Sequence, residues 1–479
     1  MAYISPIHKG GSKQDPERYR PVSLTSHIAK VFERVIKKKI EKYLVDNAKL
    51  NNGQHGSVQK RSTQTELLAH YNDIYDAISE GKTTDTVYLD FAKAFDKVDH
   101  KILLEKVKKH GIGGKIGRWI EEFLKDRKFR VVVNGCMSDE AEVLSGVPQG
   151  TVLAALLFVI MISDIDENIK KSVVRSFVDD TRVNRKINGP TDKDELQEHL
   201  NMMYKWARDN KMEFNEKKFE HMTNGNPNEP PIIHYKTPSG DKIQTKDTVR
   251  DLGVITSKDL DFKEHINKIT TDCLVVMGML LRTFKTRAKG PMIMLYNTFL
   301  RSKLEYCCLV WSPRQQQDIN KIENIQRIFT KKIDGMKDLN YHERLKKLNM
   351  YSLERRRDRY KIIYAWQQIE GLKENIMNIK TNKNTTNRMI NNGNYIKKGT
   401  RTTTKLLSKI HYSPLRTTER AFNSLPRKLR NKTGVNVDTF KRHLDRWMMQ
   451  VPDLPKCNGY QSLAVANSNA IYDQVTVRG

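Results

Sequence analysis

The spacing of apolar residues in the first half of the chain predicts a mixture of strands and helices. Apolar and polar residues alternate from Thr86 to Phe91, which is typical of a strand with one buried face. The stretch from Ser172 to Val183 predicts a short hairpin, and the continuously apolar stretch from Val152 to Ile162 predicts a buried helix. Because strands and helices do not alternate strictly, the pattern predicts an α+β fold rather than a doubly wound sheet.

Helical periodicity appears on both sides of these strands. A helix is predicted from about Ser26 to Leu44 and another from Thr191 to Asn210. In the first of them one face carries Ile28, Val31, Val35 and Ile36, with Lys37, Lys38 and Lys39 exposed. Beyond Gly253 the periodicity becomes almost wholly helical, which predicts a second, α-helical domain.

The net charge of the chain indicates a polyanionic partner. The 479 residues include 85 Lys and Arg against 56 Asp and Glu, a net charge of +29. Of this, +19 falls from Lys331 onward, and no acidic residue occurs between Glu374 and Glu419. A surface this basic is suited to a polyanion, although a solvated tail explains the last third equally well. The Asn- and Thr-rich stretch from Thr381 to Thr404 is typical of a linker or arm.

No membrane partner is predicted. The longest apolar run, Val152 to Ile162, is shorter than the roughly 20 residues of a membrane-spanning helix. The N-terminus has no basic segment followed by an apolar one, as a secretory signal would. We therefore expect an intracellular protein, in the nucleus, the cytoplasm or both.

Three carboxylates occupy positions where acidic residues are rare without a cation. Asp90 ends the strand from Thr86, and Asp179 and Asp180 lie at the turn of the predicted hairpin. If the two elements are neighbours in one sheet, the three side chains form an all-oxygen site of the kind Mg²⁺ prefers. Two such ions can clamp the attacking and leaving oxygens of a phosphoryl transfer. The competing interpretation is that each Asp is an ordinary turn or cap residue.

Further short motifs, taken in order, make the sequence recognisable. They are Tyr19–Leu24 (YRPVSL), Gln54–Gly56 (QHG), Arg61–Thr63 (RST), Leu89–Val98 (LDFAKAFDKV), Ser145–Gly150 (SGVPQG), Phe177–Asp180 (FVDD), Asp251–Val254 (DLGV), Leu304–Tyr306 (LEY) with Trp311–Pro313 (WSP), and Phe422–Pro426 (FNSLP). In this order they resemble the reverse transcriptase of non-LTR, LINE-type retrotransposons, most closely the jockey-like group. The resemblance runs through most of the chain, to about Pro455.

The resemblance implies a right-hand polymerase fold followed by helical regions. Fingers and palm would occupy residues 1–256 and a helical thumb residues 257–370. A basic linker or arm would occupy 371–410, a C-terminal helical region 411–455, and a tail expected to be disordered 456–479. The chain would be a copy that begins inside the fingers and lacks the endonuclease domain, so that a nick would have to come from another chain.

The resemblance also assigns a metal centre. Asp90, Asp179 and Asp180 match the metal-binding carboxylates of the palm, and the carbonyl of Phe91 would be a further ligand. The cofactor would be two Mg²⁺ ions, with Mn²⁺ as an alternative ion. Lys218 falls where the family has a lysine near the leaving pyrophosphate, a candidate catalytic acid, although a surface lysine is an alternative.

Substrate-binding roles follow from the same resemblance. Phe95 matches the side chain that closes the sugar pocket against a 2′-hydroxyl, with a core aromatic as the alternative. Lys9 and Arg20 match positions that hold the incoming triphosphate, and Gln149 and Gly150 match the loop that lines the dNTP pocket and template. Leu252 and Gly253 would belong to the primer grip.

The implied activity is RNA-directed DNA polymerisation, with an RNA template, a DNA primer and dNTPs as partners. The alternative is a truncated remnant that only binds nucleic acid. Two departures from the family favour the remnant: Ser57–Lys60 (SVQK) replaces F-R-K-G, and Ala154–Ala155 replaces Gly-Pro. Val178 also stands where the family has Ala. A third hypothesis, an RNA-copying RNA polymerase, is disfavoured by Phe95.

Overall fold

The computed structural model describes residues 2–225, 234–381, 396, 410–456 and 468–476. These form two compact units. The first comprises residues 2–66, 83–223 and 234–246, and the second comprises residues 67–82, 224–225 and everything described from 247 onward. The second unit is therefore discontinuous in sequence, because it borrows a segment from early in the chain.

The first unit is built on two sheets. Its strands are β1 (Ala2–His8), β2 (Tyr19–Leu24), β3 (Thr83–Leu89), β4 (Lys128–Val133), β5 (Cys136–Met137), β6 (Ala141–Glu142), β7 (Val173–Phe177), β8 (Asp180–Ile187), β9 (Glu220–Asn224, whose last residue belongs to the second unit) and β10 (Gln244–Thr245). One sheet has the order β2-β1-β4-β5, with β6 also paired to β4. The other has the order β10-β9-β3-β8-β7, with β8 antiparallel to both of its neighbours.

Helices pack with these sheets in the core of the first unit. They are α1 (His27–Asp46), α3 (His100–Lys109), α4 (Gly114–Leu124), α5 (Ala154–Met161) and α6 (Pro190–Asp209), with short 3₁₀ turns at Pro16–Arg18 and Glu216–Lys218. Helix α2 (Thr63–Ser79) begins in the first unit and passes into the second at Leu67. Every residue of α5 except Ala155 is buried, so the prediction of a buried helix in this stretch is confirmed. Helix α3 begins after Asp99, whose carboxylate accepts hydrogen bonds from the N–H groups of Lys101 and Ile102 at 2.9 and 3.1 Å.

In the part of the second unit that the structure describes, the regular structure is helical apart from one hairpin, β11 (Thr248–Asp251) and β12 (Val254–Ser257), and the last residue of β9. Its further helices are α7 (Lys263–Thr283), α8 (Lys289–Leu295), a π-helical turn (Tyr296–Arg301), α9 (Ser302–Glu305), α10 (Cys308–Trp311), α11 (Gln316–Thr330), α12 (Tyr341–Leu348), α13 (Leu353–Ile369), α14 (Pro414–Asn423), α15 (Arg427–Arg430), α16 (Val437–Met448) and α17 (Ile471–Thr476). Thus the α+β class and the helical second region predicted from sequence are both observed.

Helix α2 contributes to the core of the second unit. Leu67, Leu68 and Ile74 are fully buried there. The Tyr71 ring packs edge-on against Phe262 at 5.7 Å between centroids, and Asn72 donates a hydrogen bond to the carbonyl of Ile376 at 2.9 Å. This segment is integral to the second unit.

The apolar face predicted for α1 is only partly buried. Ile28, Val31 and Val35 are 75, 55 and 56% exposed, whereas Ile36 is half-buried against the core. The buried residues are instead Glu33, Ile40 and Leu44, which lie on a different side of the helix. The physical reason is that the core contacts of Ile40 and Leu44 and a polar contact favour the same side: the buried Glu33 carboxylate accepts hydrogen bonds from the backbone at the start of α5.

The C-terminal segment also departs from expectation. Residues 468–476 lie within the tail predicted to be disordered, yet they include α17. The Asn469 amide donates to an Asp453 carboxylate oxygen at 2.8 Å, and the Ile471 N–H donates to Asp358 at 2.9 Å. Residues 457–467 and most of the predicted 371–410 linker lie outside the described residues, and the other predicted domain limits stay predictions.

Among the described helices, none is long and apolar enough to cross a membrane.

Candidate active site

The sheet of the first unit brings the three predicted carboxylates to one edge. Asp90 directly follows β3, whose last residue, Leu89, pairs with Thr181 in β8. Asp180 begins β8 opposite Phe177 of β7, and Asp179 lies in the turn between these strands. Because β3 and β8 are antiparallel neighbours, the end of one and the start of the other coincide. The sequence prediction that the two elements are neighbours is confirmed.

The pKa values report the crowding of these acids. Burial, together with the nearby negative charges of Asp179 and Asp90, raises the pKa of Asp180 to about 6. Burial, with the charge of Asp90, also raises the pKa of Asp179. The site therefore concentrates negative charge where solvent screens it weakly, which favours the binding of a cation.

Two basic side chains act on this edge. Lys218, in the turn Glu216–Lys218, donates to an Asp90 carboxylate oxygen at 2.9 Å. Arg20, exposed on β2, is close enough that its charge lowers the pKa of both Asp179 and Asp180, as does that of Lys218. The two basic side chains, Arg20 and Lys218, therefore lie where a polyanionic substrate would meet the carboxylates.

The donor chemistry of this edge fits divalent metal ions. Carboxylate and carbonyl oxygens are the ligands that Mg²⁺ prefers, and the raised pKa values of Asp179 and Asp180 come partly from uncompensated neighbouring charge. Among the described residues, however, no three acidic, His or Cys side chains are arranged closely enough to hold an ion as they stand. Asp90 is paired with Lys218 instead.

Phe91 and Phe95 anchor the segment that follows Asp90. Phe91 is buried and stacks on Phe214 at 4.4 Å, and the adjoining backbone bonds use the carbonyl of Asp90 and the N–H of Ala92. Phe95 is half-buried and stacks on Phe158 of α5 at 4.8 Å. This packing fixes the Phe95 ring. Because the ring is only half-buried, one part can pack on the core while another part contacts a substrate.

The loop before α5 packs against the same segment. The side-chain NH₂ group of Gln149 donates to an Asp96 carboxylate oxygen at 3.0 Å, and the backbone carbonyl of Gln149 accepts from the Ser23 N–H at 2.7 Å. Gly150 has φ +99°, and a Cβ there would meet the Ser23 carbonyl at 3.0 Å. Glycine at this position therefore allows both the backbone conformation and the close approach to β2.

The remaining predicted residues lie on hairpins. Lys9 is exposed after β1, and its charge lowers the pKa of Asp96, a pKa that burial raises. Leu252 and Gly253 form the turn between β11 and β12 in the second unit, with φ of +43° and +85°. The carbonyl of Leu252 accepts a hydrogen bond from the Tyr306 hydroxyl at 2.8 Å. Two left-handed residues in succession are typical of a tight hairpin turn.

Comparison with known proteins agrees with this arrangement. The family described as reverse transcriptase (RNA-dependent DNA polymerase) matches residues 7–256, more than half of the chain. The chain belongs to the reverse transcriptase family. This membership confirms the resemblance inferred from the motifs, and it supports the right-hand polymerase fold.

Individual relatives come from mobile elements. The chain is 27% identical to a probable RNA-directed DNA polymerase from transposon X-element of Drosophila melanogaster, over 70% of this chain and 38% of that protein. It is 26% identical to the RNA-directed DNA polymerase from mobile element jockey of Drosophila funebris, over 69% of this chain and 37% of that protein. The chain thus spans less than two fifths of these curated relatives. A solved telomerase from Candida tropicalis, in complex with a telomeric RNA fragment, aligns with a TM-score of 0.44 at 11% identity, over 94% of this chain and 64% of that one.

The departures from the reverse transcriptase pattern leave the local backbone in place. Lys60 stands where the family has a glycine, and its φ of +67° is the left-handed conformation that glycine favours. Helix α5 begins at Ala154, where the family has Gly-Pro. Val178 has φ +62°, an unusual value for a β-branched residue.

Three side chains of this reverse transcriptase site had no predicted role. Gln54 accepts hydrogen bonds beside Asp179, Glu33 accepts bonds from the start of α5, and Asp96 accepts one from Gln149. Gln54 and Asp96 lie inside motifs that the sequence offered, so those motifs were the available signal. Nothing in the sequence distinguishes Glu33 from a surface glutamate on an amphipathic helix.

Proposed function

We propose that this chain is an RNA-directed DNA polymerase of a non-LTR retrotransposon, which extends the 3′-hydroxyl of a DNA primer with dNTPs on an RNA template. The observation that carries the proposal is the meeting of Asp90, Asp179 and Asp180 at one sheet edge, with the charges of Arg20 and Lys218 acting on it. Membership of the reverse transcriptase family and the RNA-directed DNA polymerase activity for which its relatives are named support it.

In this proposal Asp90, Asp179, Asp180 and the carbonyl of Phe91 would hold two Mg²⁺ ions, or Mn²⁺ in their place. Ions held there would supply Lewis-acid chemistry, lowering the pKa of the primer hydroxyl and offsetting charge on the phosphates. The three carboxylates orient the reacting groups, because each is fixed to the end of a strand or to a tight turn. The primer oxygen bonds to the α-phosphorus as the bond from that phosphorus to pyrophosphate breaks.

The cationic side chains handle the triphosphate. Arg20 can bind phosphate oxygens with two N–H groups at once, and Lys9 adds a second positive charge on the neighbouring strand. The Lys218 side chain is 63% exposed, so it can leave the Asp90 carboxylate and bind the departing pyrophosphate instead. There it can donate a proton to the pyrophosphate. The proton of the primer hydroxyl passes to water.

Phe95 and the Gln149–Gly150 loop define the nucleotide pocket. Phe95 is held by its stack on Phe158, so its ring can exclude a 2′-hydroxyl without moving aside. The side-chain NH₂ group of Gln149 is held by Asp96, which leaves the side-chain oxygen Oε1 to face the base or template. This division predicts preference for dNTPs over ribonucleotides.

The second unit would bind the nucleic acid. The Leu252–Gly253 turn would act as the primer grip, and the helices that follow would form a thumb on the template–primer duplex. A helical thumb reads backbone and shape rather than base edges, which suits an RNA–DNA hybrid. The basic residues from Lys331 onward supply charge for phosphate contacts.

Primer extension tests the proposal. The protein is incubated with poly(rA), an oligo(dT) primer, dTTP and Mg²⁺, alongside its Asp179→Asn variant and an Asp139→Asn control at an exposed position of the same unit. We expect extension by the wild type and the control, and loss of extension with retained template–primer binding in Asp179→Asn. Activity in that variant would overturn the assignment of the carboxylates. A wild type that binds template–primer without extending it would support the nucleic-acid-binding remnant instead.

A further inference from the structure

The segment from Gly53 to Gly56 runs alongside the hairpin that carries Asp179. Gln54 forms a parallel bridge with Ser176 of β7. The Ser176 N–H donates to the Gly53 carbonyl at 2.9 Å, and the His55 N–H donates to the Ser176 carbonyl at 2.8 Å. The segment therefore extends the sheet by a short edge beside β7.

The side chain of Gln54 reaches the turn itself. Gln54 is 3% exposed, and its Oε1 atom accepts hydrogen bonds from the N–H groups of Gly56 at 2.7 Å and Val178 at 3.0 Å. Val178 immediately precedes Asp179 and has φ +62°. A β-branched residue is strained in this left-handed conformation, which persists only where the surroundings hold it.

We propose that Gln54 is a positioning residue: its carboxamide oxygen holds the strained peptide of Val178 and thereby fixes the place of the Asp179 carboxylate. The inference rests on the proposed polymerase function, which gives Asp179 its role as a metal ligand. Gln54 itself touches neither substrate nor metal. It acts on catalysis only through the turn.

Close packing supports a direct mechanical connection between the segment and the turn. A Cβ added to Gly56 would lie 2.5 Å from both the backbone N and the Cγ2 atom of Val178. Residue 56 therefore has to be glycine for the segment to approach this closely. Any movement of Gln54 or Gly56 is transmitted to Val178 without intervening space.

The segment is in turn fixed to the body of the first unit. His55 Nδ1 and Thr65 Oγ1 are 2.9 Å apart, and Arg61 donates to the Gln54 carbonyl at 2.6 Å. Glu66, next to Thr65, forms a buried ion pair with Arg182, two residues after Asp180. The contacts that hold Gln54 therefore return to the strand that carries Asp180, and the turn is braced from both sides.

Two substitutions distinguish the effect of the Gln54 hydrogen bonds from the effect of its side-chain volume. Gln54→Met keeps the size and removes the acceptor. Gln54→Glu keeps an acceptor oxygen for the Val178 N–H, so it tests the hydrogen bond by exchange; its added charge beside Asp179 makes it unsuitable for the comparison of kcat. A matched control is Gln197→Met on α6, since Gln197 Oε1 also accepts a backbone N–H, that of Lys236, at 2.7 Å.

The readouts are kcat and KM for dTTP in primer extension, and hydrogen exchange of the 173–181 segment in the free protein. For Gln54→Met we expect kcat to fall by about 10- to 100-fold, with KM and template–primer binding little changed, because a small misplacement affects the chemical step most. Exchange of the Val178 amide should quicken by at least about 10-fold, since its acceptor is gone. Exchange of the Val178 amide in Gln54→Glu should stay close to the wild-type rate, and Gln197→Met should retain the wild-type kcat and exchange.

A double variant distinguishes loss of the positioning role from a general folding defect. Glycine adopts a φ of +62° without strain, so Val178→Gly introduced into Gln54→Met should recover part of the lost kcat. Wild-type kcat and wild-type exchange in Gln54→Met would overturn the inference, as would equally fast exchange of the Val178 amide in Gln54→Glu. If the wild type itself extends no primer, the proposed function fails, while exchange at Val178 still decides whether Gln54 holds the turn.

Discussion

The contact between Glu33 and α5 makes a strong prediction about the stability of the active-site loop. Glu33 is 1% exposed, and its Oε2 atom accepts hydrogen bonds from the N–H groups of Val152 at 2.7 Å and Leu153 at 3.0 Å. Those are orphan donors at the start of α5, which has no side-chain cap of its own. The carboxylate also lies at the positive end of the helix dipole. Replacing Glu33 by Ala removes the acceptor from both donors.

The size of the effect follows from these two bonds. A hydrogen bond to a charged group contributes about 1.5–3 kcal/mol, and a buried donor left without an acceptor costs about 1–3 kcal/mol. With water reaching the partly buried Val152, we expect Glu33→Ala to destabilise the start of α5 by about 3 kcal/mol. Glu33→Gln retains a neutral acceptor oxygen, and we expect it to cost about half as much.

Hydrogen exchange of the 150–161 segment, followed by mass spectrometry, measures this locally. A protein of two units need not unfold in one step, so a global melting curve is a poorer measure. A loss of about 3 kcal/mol corresponds to exchange roughly 100-fold faster in Glu33→Ala. The control is Glu41→Ala on the same helix, whose carboxylate makes a 3.6 Å pair with Lys37 near the surface and should matter by less than about 0.5 kcal/mol. Unchanged exchange in Glu33→Ala would refute the reasoning.

Three further predictions concern other parts of the molecule. Phe95→Val should gain ribonucleotide incorporation in primer extension, because the ring stacked on Phe158 would no longer fill the sugar pocket; unchanged sugar preference would contradict that role. Burial raises the pKa of Glu323 to about 7, so wild-type stability should fall as the pH rises from about 4.5 to 7 while its carboxylate becomes charged. Between pH 5 and pH 8 the opening free energy of α11 in Glu323→Gln should therefore improve by about 2 kcal/mol relative to wild type, as measured by hydrogen exchange of the 316–330 segment, and a constant difference would count against it. Replacing the five basic residues between 397 and 409 by Gln should reduce the salt dependence of RNA binding, and an equal slope would exclude phosphate contacts there.

The local features of the site were predictable from the sequence, whereas its tertiary supports were not. Alternation of apolar residues places Asp90 at a strand end, and the order of the motifs pairs it with Asp179 and Asp180. Such signals are local, since each depends on a few neighbouring residues. The bond from Glu33 to Val152 joins residues 119 positions apart, and the bond from Gln54 to Val178 joins residues 124 apart. Periodicity carries no information on such pairs.

The orientation of α1 illustrates the same limit. Its sequence offers an apolar stripe at Ile28, Val31 and Val35, and hydrophobicity alone favours burying that stripe. The fold instead buries the side that carries Ile40, Leu44 and Glu33, whose carboxylate serves two backbone donors at the start of α5. Core contacts and a satisfied helix start therefore favour the same side of α1. Only the positions of both helices reveal that requirement.

The path of α2 has a consequence for synthesis of the chain on the ribosome. Residues 67–82 emerge early, yet Leu67, Leu68 and Ile74 belong to a core whose other members begin with Val254. Until that later sequence is made, the nascent chain carries an apolar helix with nothing to bury it, and such surfaces attract chaperones or aggregate. A fragment ending near residue 246 would keep this defect permanently. Expression of the entire chain is therefore the sounder route to soluble protein.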